Sequence, residues 1–429
     1  MHPPPGYKID YRDIVLKLLK SLYGLKQAGH RWYEVLCHTL LEIGFNLSNY
    51  DPGIFYARVG DEVLILAVHV DDCILTRSLA ELIKNCKALL NSHYPLTDLG
   101  PIHWVLGIKI TWDHNEWTIL LLQSSYIESI LQHFNLEDAK LHESPMTPGT
   151  MLTKADAPSN VPEAKAMAKT PYHEAIGSLM YAAVATWPDI SFAVSALSQF
   201  LENPRCVHWE ATKCIFHYFS GTKTSVLTYS SKHHNLIGYT DADGASQEHH
   251  KAISGQVFLI DGRAISWKSQ KQELIMLSTT KAEYVATMHA TKEAIWLQWL
   301  LQELFPTSKL PITLYCNNQS AIKLTQGDNY HTRTKHIDIQ YHFICDAVRN
   351  GLVSLTYCPT EDMVTDILTK PLPKWKVAAH IVTLGFCLTW GGVLKCEAWG
   401  GVEKGSTWHT CCAMFSGLIH PNPYFSECV

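Results

Sequence analysis

Five acidic residues stand where chemistry on phosphate groups would use them. Asp71 and Asp72 interrupt a long apolar run, and Asp241, Glu283 and Asp366 lie in three separate segments farther along the chain. Carboxylates that converge from separate elements are typical of sites in which two Mg²⁺ ions, about 3.5–4 Å apart, activate water and stabilise a leaving oxygen. Mg²⁺ needs few protein carboxylates, because water and phosphate fill its other positions. The later three acids therefore suggest phosphodiester hydrolysis.

Each of these three acids also has an explanation without catalysis. Thr280 and Glu283 form a Thr-x-x-Glu capping box, so the glutamate could serve only a helix N-terminus. Asp241 and Asp243 lie between glycines and could be turn residues. Asp366 taken alone fits an exposed helix surface. Spacing by itself leaves both interpretations open.

Asp71 and Asp72 are expected at the tip of a hairpin. The apolar run 63–70 predicts a strand that stops at the aspartates and resumes over residues 73–75. Such a pair suits a plain solvated turn as well as a hairpin that holds the Mg²⁺ of a nucleotide. Other elements expected in this part are helices over residues 13–41, 79–91 and 124–134 and a strand over residues 105–110.

The segment from residue 236 onward has the pattern of an α/β unit with one mixed sheet. The expected strands are 236–241, 256–260, 264–267, 312–316 and 353–357, and the expected helices are 280–304, 320–324, 339–348 and 361–369. Asp241 then lies at a strand end, Glu283 in the first turn of the long helix and Asp366 in the last helix. Residues 173–220 are expected to be largely helical, after a Lys/Ala/Pro-rich linker at 154–171.

Composition narrows the class of protein. The 429 residues suffice for two or three domains. The formal net charge of −5 argues mildly against a nucleic-acid enzyme, although a large chain can carry a local basic cleft. The 13 cysteines lack zinc-type spacing, no signal peptide is evident, and the longest apolar run, 63–68, is far too short to span a bilayer. We expect a soluble, intracellular, unsecreted protein with no membrane partner.

Eight ordered motifs over roughly residues 1–386 resemble the copia-type retrotransposon Pol family. They are residues 21–28, 69–72, 106–108, 176–181 with 188–190, 238–243, 277–284, 334–338 and 366–372. The resemblance implies an α/β chain with an α+β reverse transcriptase palm remnant, a helical thumb and connection, and a ribonuclease H-like mixed sheet. The implied parts are a truncated palm at 1–112, thumb and connection at 113–232, ribonuclease H at 233–373 and a tail of uncertain structure at 374–429.

The resemblance also implies roles for individual residues. For the polymerase, the metal aspartates would be Asp71 and Asp72, and the substrate-binding residues would be Lys26, Gln27, His69, Leu106 and Gly107. For the ribonuclease H, Asp241, Glu283 and Asp366 would be three of four metal-binding acids, and Asn317 stands at the fourth position. The implied cofactor is Mg²⁺, with Mn²⁺ as a substitute.

Three departures from the family pattern predict weakened activity. The fingers and the first palm aspartate would precede residue 1, so we expect no polymerase activity. His69 stands where the family has Tyr or Phe beside the incoming nucleotide. Asn317 stands where the family has Asp, which removes a negative charge from a site that balances two dications. A loss of several kcal/mol of charge stabilisation costs orders of magnitude in rate, since about 1.4 kcal/mol is tenfold.

Two functional hypotheses follow from the resemblance. In the first, the chain is a retroelement enzyme whose Mg²⁺-dependent ribonuclease H is severely impaired. In the second, it is a dead relic that only binds RNA–DNA hybrids through Lys268, Lys271, Arg333 and Lys335. A host-recruited scaffold has no supporting sequence feature. Expected partners are a template-primer or RNA–DNA hybrid and other Pol or Gag products, in cytoplasmic virus-like particles and also in the nucleus.

Overall fold

The computed structural model describes residues 15–387 except for 23, 61, 78–79, 114, 116, 139, 151, 154–164, 166, 231–234, 244–250, 274, 276–277, 307–310 and 327–337. Most of the expected linker at 154–171, the tail beyond residue 387, Arg333 and Lys335 lie outside this description. Within it, the chain divides into two compact units, residues 1–99 and 100–429. No helix of the described part is long and apolar enough to cross a membrane.

The first unit packs two helices against a four-stranded antiparallel sheet. Its elements are α1 (Ala28–Glu42), β1 (Asn46–Leu47), β2 (Ile54–Val59), β3 (Glu62–His69), β4 (Asp72–Arg77) and α2 (Ala80–His93), with the strands in sequential order. Its core includes Leu36, Leu40, Phe45, Phe55 and Leu66. The helix expected over residues 13–41 was wrong at its start, because Gly24 has a left-handed φ of +88° and α1 begins only at Ala28.

The second unit contains an antiparallel sheet in the order β14-β8-β7-β6-β5. Its strands are β5 (Trp104–Val105), β6 (Ile108–Asp113), β7 (Thr118–Leu122), β8 (Val226–Ser230) and β14 (Phe386–Cys387). The single strand expected over residues 105–110 was wrong, because Leu106 and Gly107 have φ of +47° and +68° and form a tight turn between β5 and β6. The expected domain boundary at residue 112 falls inside β6.

Helices of the second unit connect this sheet to the next one. They are α3 (Ser124–His133), α4 (Tyr172–Ala185), a 3₁₀ turn (Pro188–Ile190), α5 (Ser191–Ser198) and α6 (Cys206–Thr222). The Trp267 indole donates a 2.8 Å hydrogen bond to the Ala183 carbonyl, so α4 is fastened to the second sheet. Residues 374–387 are not a separate tail, because α10 (Lys374–Thr383) leads into β14, which pairs with β8.

The second sheet of this unit has the order β11-β10-β9-β12-β13. Its elements are β9 (Leu236–Asp243), β10 (Ile253–Ile260), β11 (Arg263–Lys271), α7 (Thr279–Leu304), β12 (Ile312–Cys316), α8 (Gln319–Gln326), α9 (Asp338–Arg349), β13 (Val353–Tyr357) and a 3₁₀ helix (Val364–Leu368). Strands β9, β12 and β13 are parallel, and β10 and β11 are antiparallel to their neighbours. The predicted α/β class and mixed sheet are confirmed.

The 3₁₀ helix approaches the sheet closely at one glycine. A Cβ atom on Gly255 would lie 2.8 Å from Cγ2 of Thr369 and 3.0 Å from Cβ of Leu368. Only glycine allows this approach without a shift. Asp366 therefore lies in a buried 3₁₀ helix, not in the longer helix expected over residues 361–369, and the alternative of an exposed helix surface was wrong.

Candidate functional site

Sheet register brings Asp241 and Asn317 together. Strands β9 and β12 are parallel with Thr240 opposite Cys316, so the next residue of each chain segment reaches the same level of the sheet edge. Asn317 Nδ2 donates a 2.9 Å hydrogen bond to Oδ1 of Asp241. Asp241 is a buried strand residue, and the alternative that it is a turn acid was wrong.

A second neutral donor occupies the other oxygen of Asp241. Thr369 Oγ1 donates a 2.8 Å hydrogen bond to Oδ2 of that carboxylate. Burial raises the pKa of Asp241, as does the charge of Asp366, while Lys370 and the two donors lower it. Both oxygens of Asp241 are therefore satisfied by groups of the chain itself.

Glu283 faces the same cluster from α7. Ser278 caps this helix by accepting a hydrogen bond from the Lys281 backbone N–H at 3.3 Å, so the capping box of Thr280 and Glu283 was wrong. Burial and the nearby charge of Asp241 raise the pKa of Glu283 to about 9, and the Ala242 backbone N–H opposes this rise. Glu283 Oε2 is buried and has no hydrogen-bond partner within the described part of the chain.

Two lysines hold the Asp366 carboxylate. The Asp366 side chain has no exposed surface; Lys370 Nζ lies 2.7 Å from its Oδ1 and Lys376 Nζ lies 3.7 Å from its Oδ2. Burial alone would lower the pKa of Lys370, but Asp366, Asp241 and Asp243 together raise it. Lys370 is thus a stable cation inside an acidic cluster. Lys370 was not among the site residues expected from the sequence, although it follows Asp366 by four positions, a spacing at which ion pairs form.

The residues present do not fit a site for two magnesium ions. Among the described residues, no three His, Cys, Asp or Glu side chains come together in a way that could hold a metal ion. Asn317 presents its NH₂ group, not its oxygen, to Asp241. Asp366 forms ion pairs with two lysines of the chain, although neither of its buried oxygens has a hydrogen bond of good geometry in the described part of the chain. The expected magnesium site stays a prediction, and in this structure Asp241 and Asp366 contact donors and cations of the chain itself.

The Asp71–Asp72 pair lies at an exposed hairpin tip in the first unit. His69 pairs with Asp72 across β3 and β4, and Val70 between them has a left-handed φ of +56°, a strained conformation for a β-branched residue. The Trp32 indole donates a 3.0 Å hydrogen bond to the Val70 carbonyl. The sequence analysis missed this contact, which brings α1 to the hairpin tip. The expected hairpin is confirmed, and metal binding by the two aspartates stays a prediction.

Lys26 and Gln27 lie just before α1 and are exposed. In the second unit, Leu106 and Gly107 form the β5–β6 turn. Their assignment as substrate-binding residues stays a prediction.

Tyr181 of α4 supports the β5–β6 turn. Its hydroxyl donates a hydrogen bond to the Leu106 carbonyl, and a Cβ atom on Gly107 would lie 3.3 Å from that hydroxyl. The Tyr181 ring packs edge-on against Tyr126, with ring centroids 4.9 Å apart. The sequence analysis missed this contact, although the residues involved lie in two of the family-like motifs.

The basic residues proposed for hybrid binding differ in their availability. Lys268 is exposed on β11, whereas Lys271 Nζ donates a 2.7 Å hydrogen bond to Oε1 of Gln199 in the segment after α5.

Comparison with known proteins places the chain in a family. A family model described as "Reverse transcriptase (RNA-dependent DNA polymerase)" matches residues 1–148. The retrovirus-related Pol polyprotein from transposon TNT 1-94 of Nicotiana tabacum is 40% identical over 379 residues, which are 88% of this chain and 28% of that protein. A transposon Ty5-1 protein of Saccharomyces cerevisiae is 31% identical over 294 residues, which are 68% of this chain and 93% of that protein. The chain belongs to the copia-type retrotransposon Pol family.

The expected family is thereby confirmed, and residues 1–148 of this Pol chain form its reverse transcriptase region. The chain is also 34% identical, over 87% of its length, to the retrovirus-related Pol polyprotein from transposon RE1 of Arabidopsis thaliana. It spans only 28% of the length of the tobacco relative and 25% of the length of the Arabidopsis relative.

Two solved structures are similar to parts of this Pol chain. The match to the LC11-RNase H1 in complex with an RNA/DNA hybrid covers 32% of this chain and 94% of the LC11-RNase H1 chain, with 17% identity and a TM-score of 0.25. The foamy viral protease-reverse transcriptase matches 79% of this chain and 52% of its own, with 14% identity and a TM-score of 0.22.

Proposed function

We propose that this Pol chain is a ribonuclease H that acts on the RNA of RNA–DNA hybrids and is severely impaired by Asn317. The observation that carries the proposal is the 2.9 Å hydrogen bond from the Asn317 amide to Asp241. Ribonucleases H depend on divalent metals as a family. An amide that donates to the neighbouring acid takes the place of the cation that two carboxylates would share.

Charge explains the expected loss. Two carboxylates within hydrogen-bond distance repel each other, and this repulsion is relieved when a cation binds between them. With Asn317 the repulsion is absent, because its NH₂ group stabilises Asp241 directly. One of the repulsions that a dication would relieve is therefore missing, and the affinity of the cluster for a dication falls.

The test is cleavage of a hybrid with 5′-labelled RNA, in Mg²⁺ and in Mn²⁺, under single-turnover conditions. The variants are Asn317→Asp and, as a matched control, Asn318→Asp, which adds the same charge one residue farther along. We expect Asn317→Asp to cut about a hundredfold faster than the parent chain, which corresponds to roughly 3 kcal/mol. We expect Asn318→Asp to cut no faster than the parent. Equal rates for a folded Asn317→Asp variant and the parent would contradict the proposal.

A relic that only binds hybrids is the second candidate, and the exposed Lys268 favours it. Fluorescence anisotropy with a labelled hybrid separates the two. Binding by the parent and by Asn317→Asp, with cutting by neither, would support the relic. Weaker binding after Lys268→Gln would place the hybrid on β11.

The remaining assignments rest on family membership. Residues 1–112 act as the palm, 113–232 as thumb and connection and 233–373 as the ribonuclease H, with Asp71 and Asp72 as the polymerase acids. The partners are a template-primer or hybrid and other products of the element, in a cytoplasmic virus-like particle. Support comes from the relatives, which are transposon Pol polyproteins. Co-sedimentation of the tagged chain with particles of the element tests this location.

A further inference from the structure

Two cations of the chain form ion pairs with the Asp366 carboxylate. Its side chain has no exposed surface, while the side chains of Lys370 and Lys376 are 34% and 23% exposed. Each lysine therefore contacts both the buried acid and the solvent. Lys370 makes the closer contact, at 2.7 Å, against 3.7 Å for Lys376.

Asp241 also obtains its hydrogen-bond partners from the chain. Asn317 and Thr369 donate to the two oxygens of Asp241. Around Asp241 and Asp366 there are thus two neutral donors and two ammonium groups. A buried carboxylate with such partners gains little from a further cation, since its charge is already compensated.

We propose that Lys370 is a built-in competitor for a divalent cation at the Asp366 carboxylate, and that it prevails in this chain because position 317 carries an amide instead of an acid. This competition rests on the proposed function, which identifies the acids concerned. A tethered ammonium acts at an effective concentration in the millimolar range or above. It therefore competes with millimolar Mg²⁺ unless several carboxylates favour the dication together.

The competition makes a specific prediction about affinity. Lys370→Met keeps most of the apolar stem and removes the charge. With the ammonium gone, Asp366 loses its close partner and can accept a metal. We expect Mn²⁺ to bind Lys370→Met at least about tenfold more tightly than it binds the parent chain, a difference of about 1.4 kcal/mol. Lys223→Met is the matched control, because Lys223 pairs with the exposed Glu128 at 3.3 Å.

The measurement is titration of the full chain with Mn²⁺, followed by the electron paramagnetic resonance signal of the free ion. The proposal is supported if Lys370→Met alone shows the tighter binding. It is overturned if parent, Lys370→Met and Lys223→Met bind Mn²⁺ equally. Circular dichroism establishes that each variant is folded.

A second measurement does not depend on the stability of Lys370→Met. Lysine side-chain NMR of the parent and of Asn317→Asp follows the Lys370 ammonium during addition of Mg²⁺. We expect the Lys370 signal to move only in Asn317→Asp, where the dication displaces it; an unmoved signal in both chains overturns the proposal. If Asn317→Asp fails to cut RNA but Lys370→Met binds Mn²⁺ more tightly, the proposed function fails and the competition stands. The opposite pair of results rejects the competition alone.

Discussion

The Tyr218 hydroxyl donates a 2.6 Å hydrogen bond to Oδ2 of Asp189, inside the helical part of the second unit. Asp189 is 3% exposed, and burial raises its pKa to about 6, although Tyr218 and the backbone N–H groups of Asp189 and Ile190 lower it. A carboxyl group is thereby buried within the 3₁₀ turn that joins α4 to α5. Its ionisation near neutral pH costs stability.

The sign of the pH effect follows from the raised pKa of Asp189. The folded chain holds the Asp189 proton more tightly than the unfolded chain does. The stability that the protonated carboxyl contributes is therefore fully present below about pH 4 and is lost as the pH rises through about 6. Asp189→Asn keeps an acceptor for Tyr218 and cannot ionise. We expect its free energy of unfolding, relative to the parent, to rise by up to about 3 kcal/mol between pH 4 and pH 7. Urea denaturation across this range measures it.

Tyr218→Phe is the companion to this experiment. It removes the donor that lowers the pKa of Asp189, so the loss of stability should extend to higher pH. A difference between Asp189→Asn and the parent that stays flat with pH would show that Asp189 does not titrate in this window.

The contact between Tyr181 and the β5–β6 turn predicts that Gly107→Ala destabilises the chain for two reasons. The left-handed φ of +68° strains any Cβ, and the new Cβ would press on the Tyr181 hydroxyl at 3.3 Å. We expect a loss of about 1–2 kcal/mol in the free energy of unfolding. Gly149→Ala is the control, since Gly149 has a φ of +78° and no atom within 4 Å of the new Cβ. If both variants lose the same amount, the contact with Tyr181 contributes nothing.

Gly255→Ala should displace the 3₁₀ helix that carries Asp366. Its Cβ would meet Thr369 Cγ2 at 2.8 Å and the Thr365 carbonyl at 3.1 Å, so the backbone must shift. Overpacking of this kind costs about 1–3 kcal/mol. Introduced into Asn317→Asp, it should also abolish the restored RNA cleavage.

Gly177→Ala provides the contrast for Gly255→Ala. Gly177 lies inside α4 and a Cβ there meets nothing within 4 Å, so alanine should stabilise the helix by about 0.5–1 kcal/mol. Thermal unfolding of both variants tests the pair. Equal effects of the two substitutions would mean that the close approach at Gly255 is not limiting.

Sequence patterns located the ordinary elements well. Strands 312–316 and 353–357 have the bounds that their alternating apolar residues predict, and α7 begins one residue before the expected start. Errors occurred where backbone conformation overrides apolar periodicity. The left-handed conformation of Gly24 interrupts the apolar pattern that predicted a longer first helix, so α1 starts only at Ala28. The Leu106–Gly107 turn divides a run of apolar residues that predicted one strand. Apolar spacing reports burial, and it does not report a reversal of the chain.

The amino-acid sequence alone determined the family, the α/β order and the presence of an amide at position 317. Tertiary structure alone decided which atoms meet. Asn317 and Asp241 are 76 residues apart, and Thr369 and Asp241 are 128 apart, so parallel register and the approach of the 3₁₀ helix bring them together. Local spacing carries no information about such contacts, because they depend on which strands pair and on how closely the layers pack. Compensation of the acids by Lys370, Asn317 and Thr369 is therefore a property of the folded chain.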